Sequence, residues 1–190
     1  DCSIDHVQFE GCSSAFIGFA LKSFTKRAIG VSEITFTFFT ERNCNVEMAL
    51  GISSFFRSSS CTVETLTIMG ESTQMRDALR GLIDGAGSCR SLRMLQLRKE
   101  SHRQVNVHLV CEVLRRYRCL KELVLSRFIQ RDEDWSELCN AICSVHSLKS
   151  LSIEGVDVGA SCYRAGSGFG RNLWNLVTTS GLQKLALEHV

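Results

Sequence analysis

The sequence predicts an α/β solenoid: a right-handed coil in which short parallel strands alternate with helices. Three observations lead there. A brief apolar motif returns seven times at near-constant intervals. The stretches between its copies carry apolar residues at three- and four-residue steps. Pro is absent from all 190 residues, so no helix needs a kink.

The motif is clearest in "CLKELVLSRF" (119–128), where Leu120, Leu123 and Leu125 are spaced L-x-x-L-x-L. Taken in chain order, the seven triplets are Ile4/Val7/Phe9, Val31/Ile34/Phe36, Val63/Leu66/Ile68, Leu92/Leu95/Leu97, Leu120/Leu123/Leu125, Leu148/Leu151/Ile153 and Leu182/Leu185/Leu187. Their intervals are 27, 32, 29, 28, 28 and 34 residues. The two residues after each opening residue are polar in 13 of 14 cases, so the pattern is more than a concentration of apolar residues. The fourth and sixth residues of each unit alternate with polar neighbours and therefore share one face of a short strand. The opening residue turns inward ahead of it. Strands are expected near 4–9, 31–36, 63–68, 92–97, 120–125, 148–153 and 182–187. A strand this short is not stable alone, but neighbouring copies pair its amides and extend one core.

Each gap holds a helix-like stretch. "SSAFIGFALKSF" places Phe16, Phe19, Ala20 and Phe24 on an apolar face. "NVEMALGISSFF" offers Met48, Ile52, Phe55 and Phe56, and "QMRDALRGLI" offers Met75, Ala78, Leu79 and Leu82. "VNVHLVCEVLRRY" offers Leu109, Val110, Val113 and Leu114. "DWSELCNAICSVH" offers Trp135, Leu138, Ile142 and Val145, and "FGRNLWNLV" offers Phe169, Leu173, Leu176 and Val177. Parallel strands joined through helices make right-handed crossovers. Helices are wider than strands, so the coil is expected to curve, with strands concave and helices convex.

The L-x-x-L-x-L motif at 28–29 residues resembles the leucine-rich repeat, specifically the ribonuclease-inhibitor-like subfamily, over essentially the whole chain. The resemblance implies a horseshoe that binds other proteins through its concave face and post-strand loops. The family pattern continues with Asn or Cys three residues after the last strand apolar. Here those positions hold Cys12, Phe39, Glu71, Glu100, Phe128, Val156 and Val190, and only Cys12 fits.

Composition narrows the function. Net charge is +2, which favours neither nucleic acid nor a membrane surface, and no apolar run is long enough to span a bilayer. The 10 Cys are spread along apolar periodic runs, and none of the six Asn opens an N-x-S/T sequon. They read as reduced, buried thiols in a cytoplasmic protein. The first triplet begins at residue 4, no capping unit is visible, and residue 1 is not Met, so a longer chain is expected. Cys139, Cys143 and His146 share a helical face but lack a fourth ligand for zinc, and no metal or other cofactor is expected. "GSGFG" (166–170) lacks the spacing of a phosphate loop; residues 157–168, between Val156 and Phe169, read as an insertion that could serve as a binding loop. No nucleophile elbow or H-E-x-x-H is present, His108 reads as a helix residue, and no catalytic residue is assigned.

The most informative lateral feature is charge. The second residues of units four to six are Arg93, Lys121 and Lys149, the eighth of units four and five are Lys99 and Arg127, and Arg98 lies beside them. Stacked about 4.8 Å apart, these cations would form a basic band suited to an acidic protein surface. The expectation is a non-catalytic protein–protein interaction module without a small-molecule substrate. One alternative is a structural scaffold or accessory subunit in a large assembly. Another, resting on the resemblance, is the repeat portion of an immune sensor or GTPase regulator.

Overall fold

The apolar–polar alternation of each motif becomes a strand in a computed structural model that describes residues 3–38, 46–70, 72–86, 89–99, 107–128, 132–155 and 168–188. The strands are β1 (Ser3–Glu10), β2 (Gly30–Thr37), β3 (Thr65–Gly70), β4 (Met94–Lys99), β5 (Glu122–Ser126), β6 (Ser150–Glu154) and β7 (Lys184–Glu188). Between them lie α1 (Ser14–Arg27), α2 (Val46–Arg57), α3 (Ser72–Gly85), α4 (Val107–Arg116), α5 (Asp132–Cys143) and α6 (Gly168–Thr179). The strands form one open sheet in chain order, β1 to β7, and every pairing is parallel.

Register follows the motif. Val7 pairs with Ile34, Ile34 with Leu66, Leu66 with Leu95, Leu95 with Leu123, Leu123 with Leu151 and Leu151 with Leu185. The last apolar position runs alongside from Phe9 through Phe36, Ile68, Leu97, Leu125 and Ile153 to Leu187. Val63, Leu92, Leu120 and Leu148 precede their strands and are fully buried, as an inward-turning opening residue should be. A one-residue slip would carry a strand's whole apolar set to the other face, so this alignment is strongly specified.

The helices lie on the triplet side of the sheet, since their buried faces and the triplets make one continuous core. Successive helices also pack on one another, α1 on α2 through to α5 on α6. At the α1–α2 crossing, a Cβ on Gly51 would lie 2.5 Å from the Gly18 Cα, and one on Gly18 would collide with the Glu47 carbonyl. The absence of both side chains lets the two backbones touch.

Four helices bury the residues their spacing predicts, apart from a half-buried Leu109. The first does not. Phe16 and Phe19 are 54% and 71% exposed, while Ile17 and Leu21 enter the core. This segment is apolar almost all round, so periodicity offers two faces. The Gly18 contact selects the one that turns Ile17 and Leu21 inward. In α6, Leu176 is buried as expected but Val177 is exposed. The expected insertion, 157–168, lies outside the described residues as far as 167, and its last residue, Gly168, opens α6. Among the described residues, no helix is long and apolar enough to cross a membrane.

Candidate functional site: the helix-free face of the sheet

Residues alternating with the triplets point away from the helices and form three rows. The first runs His6, Glu33, Thr65, Met94, Glu122, Ser150, Lys184. The second runs Gln8, Thr35, Thr67, Gln96, Val124, Ser152, Ala186. The third runs Glu10, Thr37, Met69, Arg98, Ser126, Glu154, Glu188. Aromatic rings are absent from all three rows apart from the His6 imidazole. Neighbouring side chains engage one another: His6 Nε2 lies 3.3 Å from Thr35 Oγ1, Gln8 Nε2 donates to Glu10 Oε2 at 3.1 Å, and Gln96 Nε2 contacts Met94 Sδ at 3.1 Å. The face is polar and varied, with five carboxylates among its rows.

The predicted cations divide. The stacking of second residues is observed directly. Backbone N–H groups donate from Arg93 to Glu64, from Lys121 to Arg93 and from Lys149 to Lys121, at 2.8, 2.7 and 2.8 Å. All three side chains are exposed at the leading edge of the sheet. Two of them also hold the next turn. Arg93 Nη1 donates to the Cys119 carbonyl at 3.3 Å, and Lys149 Nζ to the Gly181 carbonyl at 3.4 Å. Each accepting residue directly precedes the opening apolar of the next unit, so the contact is a repeated device.

The other predicted column does not form a solvent-facing pair. Lys99 is only 3% exposed. Strand β4 runs on through it, paired with Gly70, and alternation after Leu95 and Leu97 places it on the triplet side. Arg127 follows the end of β5, adopts φ +61°, and is exposed. Gly11 and Gly155 hold the same left-handed turn at the equivalent point, with φ +61° and +62°. Arg98 lies in the third row, exposed, between Met69 and Ser126. The basic feature is thus a leading-edge rim of Arg93, Lys121 and Lys149, with Arg98 and Arg127 towards the trailing edge.

The residues weighed for metal binding separate. Cys139 is buried, its thiol pushed up to about 12 by burial. Cys143 Sγ faces Thr179 Oγ1 at 3.3 Å, and His146 is exposed. His108 is a helix residue whose Nδ1 meets Glu137 Oε1 at 2.8 Å, linking α4 to α5. Among the described residues, no cluster of three or more His, Cys, Asp or Glu could hold a metal.

Two features had no signal in the motif. A cleft of about 590 Å³ beyond the ends of α4 and α5 is lined by Leu114, Arg115, Arg118, Ser144, Val145, His146 and Ser147. Cys61 and Cys89, in the turns before β3 and β4, bring their sulfurs to 3.8 Å. The cleft arises where two turns meet and leaves no trace in residue spacing, whereas the two cysteines stand 28 residues apart, one repeat interval, a signal outside the apolar triplets. No family model matches the chain, and neither does any curated protein sequence.

Proposed function

We propose that this chain is a non-catalytic protein-interaction module, a leucine-rich-repeat coil of the ribonuclease-inhibitor-like kind, that grips a protein partner with the helix-free face of its sheet and the loops at the strand ends. The observation that carries the reading is the face itself. Seven rungs present three rows of varied, mostly polar side chains with no helix over them among the described residues, although Thr35, Thr37, Thr67 and Val124 are shielded by their neighbours. A sheet face left open by its own fold is a recognition surface of fixed geometry, whose side chains can vary without disturbing the core. The partner is expected to bring acidic groups to the rim of Arg93, Lys121 and Lys149. The free cysteines among the described residues fit an intracellular, reducing setting.

The test is affinity capture with two sets of variants. Gln96→Arg with Ser152→Arg alters the middle row, and Lys121→Glu alters the rim at a position outside the strand cores. Each is expected to abolish or weaken capture of the partner held by the wild-type chain, with thermal melting unchanged. Retention of that partner by both sets would remove this face from the reading.

Exposed apolar residues on three helices favour a second reading, a scaffold or accessory subunit within an assembly. Phe16 and Phe19 on α1, Val46 and Leu50 on α2, and Trp174 and Val177 on α6 are all more than half exposed. Such pairs mark contact surfaces. Size-exclusion chromatography separates the readings: Phe19→Glu with Trp174→Glu should convert a self-associating chain to a monomer if those helix faces are contact surfaces. A monomeric wild-type chain counts against the scaffold.

A further inference from the structure

Two cysteines from successive units meet on the turns that lead into β3 and β4. The Cys61 thiol donates to the Cys89 sulfur across 3.8 Å. The Ser91 hydroxyl lies 3.5 Å from the same Cys89 sulfur and donates to the Cys61 carbonyl at 3.3 Å. We propose that Cys61 and Cys89 form a peroxide-reactive dithiol that closes to a disulfide and stitches the third unit of the coil to the fourth.

Geometry and chemistry point the same way. A disulfide needs its sulfurs at about 2.05 Å, so rotation of two short side chains must close the remaining gap. Cys89 is the nucleophile. Its thiol is pulled down, first by the hydrogen bond from Cys61, against the opposing effect of burial, with the backbone of Leu92 assisting. Cys61 is pushed up by that same bond, by burial and by the charge on Cys89, so it keeps its proton. The hydrogen bond thus favours the thiolate at Cys89 and the thiol at Cys61. Tyr117, near both sulfurs, is held neutral by burial and donates its hydroxyl proton to the Leu82 carbonyl at 3.1 Å. Cys111 and Cys139 are different: burial pushes their thiols up to about 12, and they lie in the core. Reactivity follows thiolate character.

The oxidant is a hydroperoxide, small enough for a sulfur whose residue is only 6% exposed. The Cys89 thiolate takes the terminal peroxide oxygen, the O–O bond breaks, and the departing oxygen picks up a proton to leave as water or an alcohol. Cys89 is now a sulfenic acid. Cys61 gives its proton to that hydroxyl, its sulfur bonds to the Cys89 sulfur, the S–O bond breaks and water leaves. Two thiols have lost two electrons, and one peroxide has gained them.

The test treats the reduced full chain with hydrogen peroxide at neutral pH, followed by alkylation and peptide mass mapping. The expected product is a Cys61–Cys89 cross-linked peptide lighter by two hydrogens, reversed by dithiothreitol, while Cys111 and Cys139 remain alkylatable. Cys89 should react about tenfold or more faster than either core thiol. Cys61→Ser should stop the reaction at a Cys89 sulfenic acid that dimedone traps, and Cys89→Ser should give no cross-link to Cys61. The proposal is overturned if Cys61 and Cys89 stay reduced under conditions that oxidise Cys12 or Cys119, or if Cys89 pairs with another cysteine instead. None of this depends on the chain binding a protein partner.

Discussion

At the scale of single residues, position in the unit decides what a side chain must do. Gly70 ends β3 with φ +132°, a region almost closed to other residues, and a Cβ there would lie 2.5 Å from the Phe38 carbonyl. Gly70→Ala adds strain to a backbone collision and should cost about 2–3 kcal/mol, read as a lowered denaturation midpoint. The core thiols set a pH limit. Burial pushes the Cys111 and Cys139 thiols up to about 12, against 9.0 as the ordinary value. A raised value contributes stability that is complete below the unfolded value and lost as pH climbs through the folded one. Under reducing conditions the melting temperature should therefore fall between pH 9 and 12, and Cys111→Ala with Cys139→Ala should flatten that fall. Lys99 shows where residue-level reading stops. Its charge suggested solvent, but its parity within β4 put it inside; knowing where a strand ends matters more than knowing what its last residue is. Arg127 stands at the same point of the next unit and escapes burial because a left-handed turn ends its strand first.

At the scale of elements, strands were legible and the first helix was not. Most strands mix apolar and polar residues at period two, Val124 in β5 and Ala186 in β7 being exceptions, and this favours one face. The α1 sequence carries Phe16, Ile17, Phe19, Ala20, Leu21 and Phe24, and at a period of 3.6 residues this supports more than one burial direction. Its neighbour resolves the choice through a glycine contact that residue spacing alone cannot show. This contact has a measurable weight. Gly51→Ala gains about 1 kcal/mol of helix propensity but forces apart two backbones, an overpacking cost of about 1–3 kcal/mol. Because the obstruction is the Gly18 backbone, with no flexible side chain to yield, overpacking should win. We expect a net loss of stability with helix content by circular dichroism unchanged. The candidate site had the same mixed legibility: the rows of the open face and the leading-edge cations follow from the motif, whereas the Cys61–Cys89 pair, though one repeat interval apart, lies in turns that the apolar triplets do not describe.

At the scale of the whole molecule, each unit leans mainly on its neighbours, the contact of Phe56 in the second unit with Tyr117 in the fourth being an exception, so the cost of damage depends on where it falls. Leu123 has strands on both sides and is fully buried; Leu185 belongs to the last described strand and is half-buried. Leu123→Ala should cost about 2–5 kcal/mol, and Leu185→Ala distinctly less, by urea denaturation of otherwise identical chains. Equal losses would mean that the coil melts as a single block.

The unbroken strand order from β1 to β7 also has a mechanical meaning. Among the described residues no strand pairs out of chain order, so a pull on the two termini would meet a zipper and not a clasp. The chain would pay out turn by turn, each release freeing about 90 Å of thread. In an optical trap that would appear as a sawtooth, and a bolt of sulfur between the third and fourth turns would delete one tooth.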